Sequence, residues 1–214
     1  MTGRSGAPAL RIGSRASTLA LVQSGMVRDA LLARLPGVHV TIVPITTRGD
    51  QVQDRSIAEF GEEGVFVTAI EEALRAGRID VAVHSAKDLP SAEPVDLRIA
   101  AYLPRADARD VLISRCGSLQ DLPWGARVGT SSPSRCVQLL AARPDLTMAS
   151  IRGNVDTRLA KLAAGEYDAI ILAAAGLVRL GLQSAVTEWF SLEVVVSAPG
   201  QGALAVQVDR KSVV

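Results

Sequence analysis

The chain has 214 residues, 48% of them hydrophobic and 21% charged, with 23 Lys and Arg against 22 Asp and Glu and a formal charge of +1. So much aliphatic material excludes disorder as the main state, and the length suits one large domain or two of about 100 residues. The near-neutral balance excludes a general nucleic-acid binder, and 3% aromatic residues excludes base-stacking platforms. Cys116 and Cys136 form no disulfide framework or metal motif, and His39 and His84 are too few for most catalytic zinc sites. No run approaches the roughly 18 apolar residues that span a bilayer, and the polar start Met1–Pro8 lacks the apolar stretch of a secretory signal. These features predict a soluble cytoplasmic α/β protein with no metal site.

In chain order, Leu10–Gly13 reads as a strand and Leu19–Leu35 as a helix closed by Pro36-Gly37. Val38–Ile45 alternates as a strand does, Val65–Arg75 is helical and stopped by Gly77, Ile79–Val83 is a buried strand, and Leu97–Leu103 is extended. After Pro104 the pattern restarts with Val111–Ser114 and Arg127–Gly129, a helix over Pro133–Ala142, Met148–Ile151, and a helix over Val155–Ala164. Ala169–Ala173 is a short apolar strand, a helix is expected near Leu177–Leu182, and Glu193–Val208 holds two extended runs around Pro199-Gly200. Alternating strands and helices predict βαβ units. The restart near Leu103–Arg105 and a return near Val195–Ala198 predict two α/β lobes, 1–102 with 197–214 and 104–195, with a ligand cleft between them.

Four strand-to-helix junctions concentrate polar chemistry. His84-Ser85-Ala86-Lys87-Asp88 follows a buried strand, where ligands bind in open α/β sheets. The Lys87-Asp88 pair reads either as a solvated turn or as a carboxylate able to hold an amine or pyrrole N–H. His84 reads as a packed strand end. Thr130-Ser131-Ser132-Pro133-Ser134-Arg135 reads as helix capping or as an anion site, and the two are compatible. Arg152-Gly153-Asn154-Val155-Asp156-Thr157-Arg158 repeats the arrangement, with Asn154 the expected N-cap, and Gly13-Ser14-Arg15-Ala16-Ser17-Thr18 repeats it again. Three of the four junctions carry Arg, whose planar fork pairs both oxygens of a carboxylate. No phosphate-binding glycine motif is present, so a polycarboxylate ligand is expected.

At these residues the sequence resembles the hydroxymethylbilane synthase (porphobilinogen deaminase) family of tetrapyrrole biosynthesis. The matching stretches are Arg11–Gln23, Asp80–Pro90, Val128–Arg135, Ile151–Arg158, Tyr167–Leu180 and Ala198–Ala205, in the family's order. The resemblance implies two lobes like type II periplasmic binding proteins and a small third domain. It implies a cytoplasmic transferase that condenses four porphobilinogens, with loss of ammonia, onto a dipyrromethane cofactor held by a cysteine thioether. Asp88 matches the catalytic aspartate, which would hold pyrrole N–H groups and stabilise the cation left by ammonia. Arg15, Arg135, Arg152 and Arg158 match arginines that grip acetate and propionate groups, and Ser85, Lys87, Thr130, Ser131 and Ser132 match cofactor- or substrate-contacting positions. Gln23 matches a first-lobe glutamine.

Ser134 stands where the family usually has the first of two adjacent arginines, and Glu63 and Thr68 stand where many members carry lysines. The chain ends at Val214, near where the third domain with its cofactor cysteine is expected, and neither cysteine here lies in a matching motif. The expectation is therefore a synthase of this family without that domain. The alternatives are an impaired paralogue or a non-catalytic two-lobed protein that binds a pyrrole or another anion.

Overall fold

The computed structural model describes residues 9–46 and 67–213; Glu63 and the start of the expected Val65–Arg75 helix lie outside the described residues. In chain order the elements are β1 (Ala9–Arg15), α1 (Thr18–Arg34), β2 (His39–Ile45), α2 (Thr68–Arg75), β3 (Val81–Ser85), a 3₁₀ turn (Ala86–Asp88), and β4 (Leu97–Tyr102). There follow β5 (Asp110–Ser114), β6 (Arg127–Gly129), α3 (Pro133–Ala142), β7 (Thr147–Ala149), α4 (Val155–Ala163), β8 (Ala169–Ala173), α5 (Ala174–Arg179), β9 (Glu188–Trp189) and β10 (Leu204–Asp209). They form two compact units, Met1–Pro104 with Ala203–Val214, and Arg105–Gly202.

The sheet of the first unit has the order β2-β1-β3-β10-β4, and that of the second β7-β6-β8-β5-β9. In each, four strands share one direction and a single strand, β10 in the first and β5 in the second, runs antiparallel between two of them. Continuous apolar strands such as Val111-Leu112-Ile113 arise because both faces of the sheet are covered. Leu112 packs with Val128, Leu139, Ile171 and Phe190, whereas its neighbours Val111 and Ile113 pack with Ile170, Leu172 and Leu177. β3 divides in the same way, Ala82 facing Ile70, Leu74 and Leu97, and Val81 and Val83 facing Ile12, Val27 and Val206. Each large aliphatic side chain so enclosed contributes about 1.5–3 kcal/mol.

Helix starts follow local chemistry. Ser17 accepts from the Ala20 N–H at 3.4 Å to begin α1, and Ser132 accepts from the Arg135 N–H at 3.4 Å to begin α3, with Pro133 in the first turn. Asn154 occupies the N-cap position of α4, but its side chain makes no capping hydrogen bond.

Other expectations need correction. The helix expected near Leu177–Leu182 is Ala174–Arg179, because Gly181 takes φ +71° and the Leu182 N–H turns back to Leu177 O. Of the two extended runs in Glu193–Val208, one is a strand, Leu204–Asp209; the Val194 and Val195 N–H groups fold back onto Ser191 O. The short strand Glu188–Trp189 gave no sequence signal, being too brief to show alternation. Residues 197–202, assigned by the sequence to the first lobe, fall in the second unit: the Gln201 side chain donates to Ala108 O at 2.7 Å and the Ala106 N–H to Gly202 O at 3.1 Å.

His84 is packed, as the sequence suggested, and its Nε2 lies 3.0 Å from Gln207 Oε1. Gln207 Nε2 donates to Glu71 Oε1 at 2.9 Å, so its carbonyl faces the ring and the His84 Nε2 carries the proton. Glu71 in turn accepts from Arg75 at 3.5 Å. Burial lowers the His84 pKa to about 4, against the Gln207 hydrogen bond, which raises it. The folded state therefore holds the ring neutral, and stability present above pH 6.5 is lost as pH falls from there towards 4, by up to about 3 kcal/mol. In His84→Gln, which keeps a donor for Gln207, melting temperature should fall less steeply between pH 6.5 and 4 than in the unaltered chain; equal slopes would refute this.

Candidate functional site

In the first unit the carboxyl ends of β1 and β3 are neighbours, because these strands pair in parallel. Arg15 ends β1 and Ser85 ends β3. Gln23, buried on α1, donates through Nε2 to Ser85 Oγ at 3.3 Å, so the helix that follows the Gly13–Thr18 junction meets the His84–Asp88 junction here. The turn Ala86–Asp88 follows, pinned by the Ala86 N–H to Ala203 O at 3.0 Å, and it presents Lys87 and Asp88 outward. The Asp88 side chain reaches solvent, yet enough protein surrounds it that desolvation raises its pKa, while Lys87 and then Arg15 pull it down.

In the second unit the loops after β6 and β7 lie side by side. Thr130 is buried and its Oγ1 accepts from the Ser132 N–H at 3.2 Å. Ser131 Oγ donates to Ile151 O at 2.7 Å and lies 2.9 Å from Ser150 Oγ, while the Ile151 N–H returns to Ser131 at 3.1 Å. Ser131 thus joins the loop before α3 to the loop before α4. Gly153 needs its φ of +105° to turn that second loop into the helix, and its carbonyl accepts from Arg158 Nε at 2.8 Å. Half-buried Arg158 has no carboxylate partner among the described residues. Desolvation lowers its pKa, and the positive charges of Arg135 and Arg152 lower it further. Three arginines from two sequence clusters therefore share one locality of the second unit.

Arg135 differs from the other two. Its Nε donates to Asp110 Oδ2 at 2.9 Å and a terminal nitrogen to Asp110 Oδ1 at 2.5 Å, with the two side chains 13% and 2% exposed. Asp110 and its buried neighbour Gln201 were not singled out from sequence. The available signals were a charged residue heading the apolar strand β5, and the Gln inside Ala198–Ala205, a stretch matched without an assigned role. Arg179 was also missed: burial lowers its pKa, and it donates to Gly202 O at 2.7 Å.

The directions of these shifts sort the charged groups. Asp80 beside Arg11, Asp96 beside Arg75, Asp107 beside Arg109 and Asp145 beside Arg143 are all lowered by their partners, so the fold favours their charge. Asp88, Arg158 and Arg179 are shifted the other way, and the fold disfavours theirs. Such groups concentrate where a ligand or reaction supplies the missing partner. Cys116 is exposed on a bend after β5, and Cys136 is half-buried in α3 with its thiol pKa raised by desolvation. Among the described residues no group of three His, Cys, Asp or Glu is placed to hold a metal, and no helix is long and apolar enough to cross a membrane.

Two α/β units of this strand order define a protein with the fold of type II periplasmic binding proteins. The periplasmic aliphatic sulphonate binding protein SsuA from Escherichia coli matches with a TM-score of 0.51 at 18% identity, over 96% of this chain and 63% of that one. The effector-binding domain of BenM, solved with benzoate, matches with a TM-score of 0.55 at 15% identity, over 96% of this chain and 85% of that one. Within that fold the sequence is specific: residues 10–213 match the family model described as "Porphobilinogen deaminase, dipyromethane cofactor binding domain". The porphobilinogen deaminases of Roseiflexus castenholzii and Roseiflexus sp. strain RS-1 are 57% and 58% identical over 199 residues, 92% of this chain and 66% of each relative. That of Leifsonia xyli subsp. xyli is 51% identical over 94% of this chain and 60% of its own length. The chain belongs to the porphobilinogen deaminase family, and it spans slightly less than two thirds of these relatives.

Proposed function

We propose that this chain carries the pyrrole-condensing machinery of a hydroxymethylbilane synthase, a cytoplasmic monomer that joins four porphobilinogens into a linear tetrapyrrole with release of ammonia. The observation that carries the proposal is Arg158, desolvated beside Arg135 and Arg152 and lacking a carboxylate among the described residues. A cation so placed is satisfied by an anionic ligand, and a pyrrole bearing acetate and propionate groups brings two carboxylates.

The dipyrromethane cofactor of the family is compatible with the residues of each unit taken by itself: in the second, Arg152 and Arg158 would answer its carboxylates beside the hydroxyls of Thr130, Ser131 and Ser132, and in the first, Ser85 and Lys87 would supply donors. When bound, that group provides the reactive pyrrole carbon from which the chain is extended. Ser132 and Thr130 already spend hydroxyl acceptors on backbone N–H groups, so they would act by shaping the loop and offering O–H donors. Ser131 supports the site by holding the Arg152 loop. Arg15 stands at the strand end beside Ser85, where its charge also acts on Asp88. The Asp88 carboxylate would accept pyrrole N–H bonds and stabilise the positive charge that develops on the ring as the C–N bond to ammonia breaks.

Titration of the chain with a synthetic dipyrromethane bearing acetate and propionate groups tests the proposal. Arg152→Leu should weaken binding about 10- to 100-fold at low salt, the worth of a charge-assisted hydrogen bond. No detectable binding by the unaltered chain, or equal binding by the variant, would overturn it.

A further inference from the structure

We propose that Gln201 is a positioning residue of the second unit's anion site, aiming the Arg135 guanidinium through the Asp110 carboxylate. The inference rests on the pyrrole-carboxylate reading above and adds to it a residue of the Ala198–Ala205 stretch.

Gln201 is 1% exposed and its carboxamide is fully engaged. Nε2 donates to Ala108 O at 2.7 Å and to Asp110 Oδ1 at 2.8 Å, while Oε1 faces an Arg135 terminal nitrogen at 3.4 Å. The opposite amide orientation would set Oε1 against two oxygens, so the environment permits one orientation only. Asp110 Oδ1 is therefore gripped from two sides, by Gln201 and by Arg135, and Oδ2 by Arg135 Nε. A carboxylate held in this way cannot rotate about its last bond, and a planar guanidinium paired to it takes a fixed plane.

The loop does not need this side chain to stay in place. The Arg105 side chain donates to Gln201 O at 2.8 Å, Arg179 to Gly202 O at 2.7 Å, and the Ala106 N–H to Gly202 O at 3.1 Å. Gly202 has φ +86°, and a Cβ there would stand 2.5 Å from Ala106 O, so the turn is held by close backbone packing together with the Arg105 and Arg179 side chains. The Gln201 side chain is thus available for Asp110 and Arg135. Its consequence lies in charge placement. Asp110 balances Arg135, so the net positive charge of the cluster rests on Arg152 and Arg158, while Arg135, whose other terminal nitrogen meets Ile171 O at 3.4 Å, keeps one terminal N–H beyond these bonds.

The test uses ¹⁵N-labelled arginine and the dipyrromethane probe. In the unaltered chain the Arg135 Nε–H, assigned through its loss in Arg135→Gln, should exchange with water at least about tenfold more slowly than that of exposed Arg34. Gln201→Leu should speed that exchange and weaken probe binding about 3- to 10-fold, the worth of one hydrogen bond. In an Arg135→Gln background the same change should cost no further affinity. Arg135 exchanging as fast as Arg34 in the unaltered chain overturns the proposal even if Gln201→Leu fails to fold. So does a full affinity loss from Gln201→Leu when Arg135 is already absent, which would make Gln201 act independently. An unaltered chain that does not bind the probe, with Arg135 protected, instead overturns the pyrrole-carboxylate reading.

Discussion

Ammonia release from porphobilinogen should fall by about 10²- to 10³-fold in Asp88→Asn, the usual cost of removing one group aimed at developing charge. Asparagine keeps the size and one acceptor oxygen but removes the negative charge, so binding should suffer less than turnover. The carboxylate reaches solvent, but the protein around it partly desolvates it, so its field is less screened than in bulk water. The same desolvation sets the pH dependence. Because the pKa is raised, the ionised form is lost as pH falls through a value above that of an ordinary Asp, and the acid limb of the rate profile should begin correspondingly early. The sign for stability is opposite. A carboxyl whose folded pKa exceeds its unfolded value destabilises the charged fold, so Asp88→Asn should melt no lower than the unaltered chain at pH 7. Unchanged ammonia release in Asp88→Asn, measured alongside its melting curve, would remove Asp88 from the chemistry.

Arg158→Leu should separate binding from stability in the same way. Loss of the guanidinium should weaken dipyrromethane binding by about 10- to 150-fold, since hydrogen bonds to charged groups are worth roughly 1.5–3 kcal/mol. The melting temperature should hold or rise, because the fold disfavours this cation: burial and the charges of Arg135 and Arg152 all act against it. Against that gain stands the hydrogen bond from Arg158 to Gly153 O, which leucine cannot make. Calorimetry and titration on the same sample decide the matter. A fall in melting temperature with affinity unchanged would make Arg158 a structural residue that holds the Gly153 turn.

Several features were legible in the residues themselves because their causes are local. The helix starts at Ser17 and Ser132 follow from a hydroxyl three residues before a free N–H, and the buried strands follow from short runs of Val, Leu and Ile. The positions of Asp88, Arg152 and Arg158 after strand ends are likewise a matter of spacing along the chain. Family membership was also legible, since six quoted stretches lie within the matched residues 10–213.

What depends on distant partners was decided only by the tertiary structure. Arg135 reads in the sequence as a free cation at a helix start, yet Asp110 takes both ends of its fork once β5 is packed beside α3. Gln201 lies in the matching stretch Ala198–Ala205 with no role assigned from the sequence, and becomes a hydrogen-bonding hub because the turn folds against Ala106 and Ala108. The place of β10 between β3 and β4, antiparallel to both, comes from the chain's return after the whole second unit. Periodicity and capping act over a few residues, whereas desolvation and ion pairing depend on which surfaces the fold brings together. The sequence by itself determined which charges stand at the strand ends; the fold decided that Asp110 compensates Arg135 and that Arg158 has no carboxylate partner among the described residues.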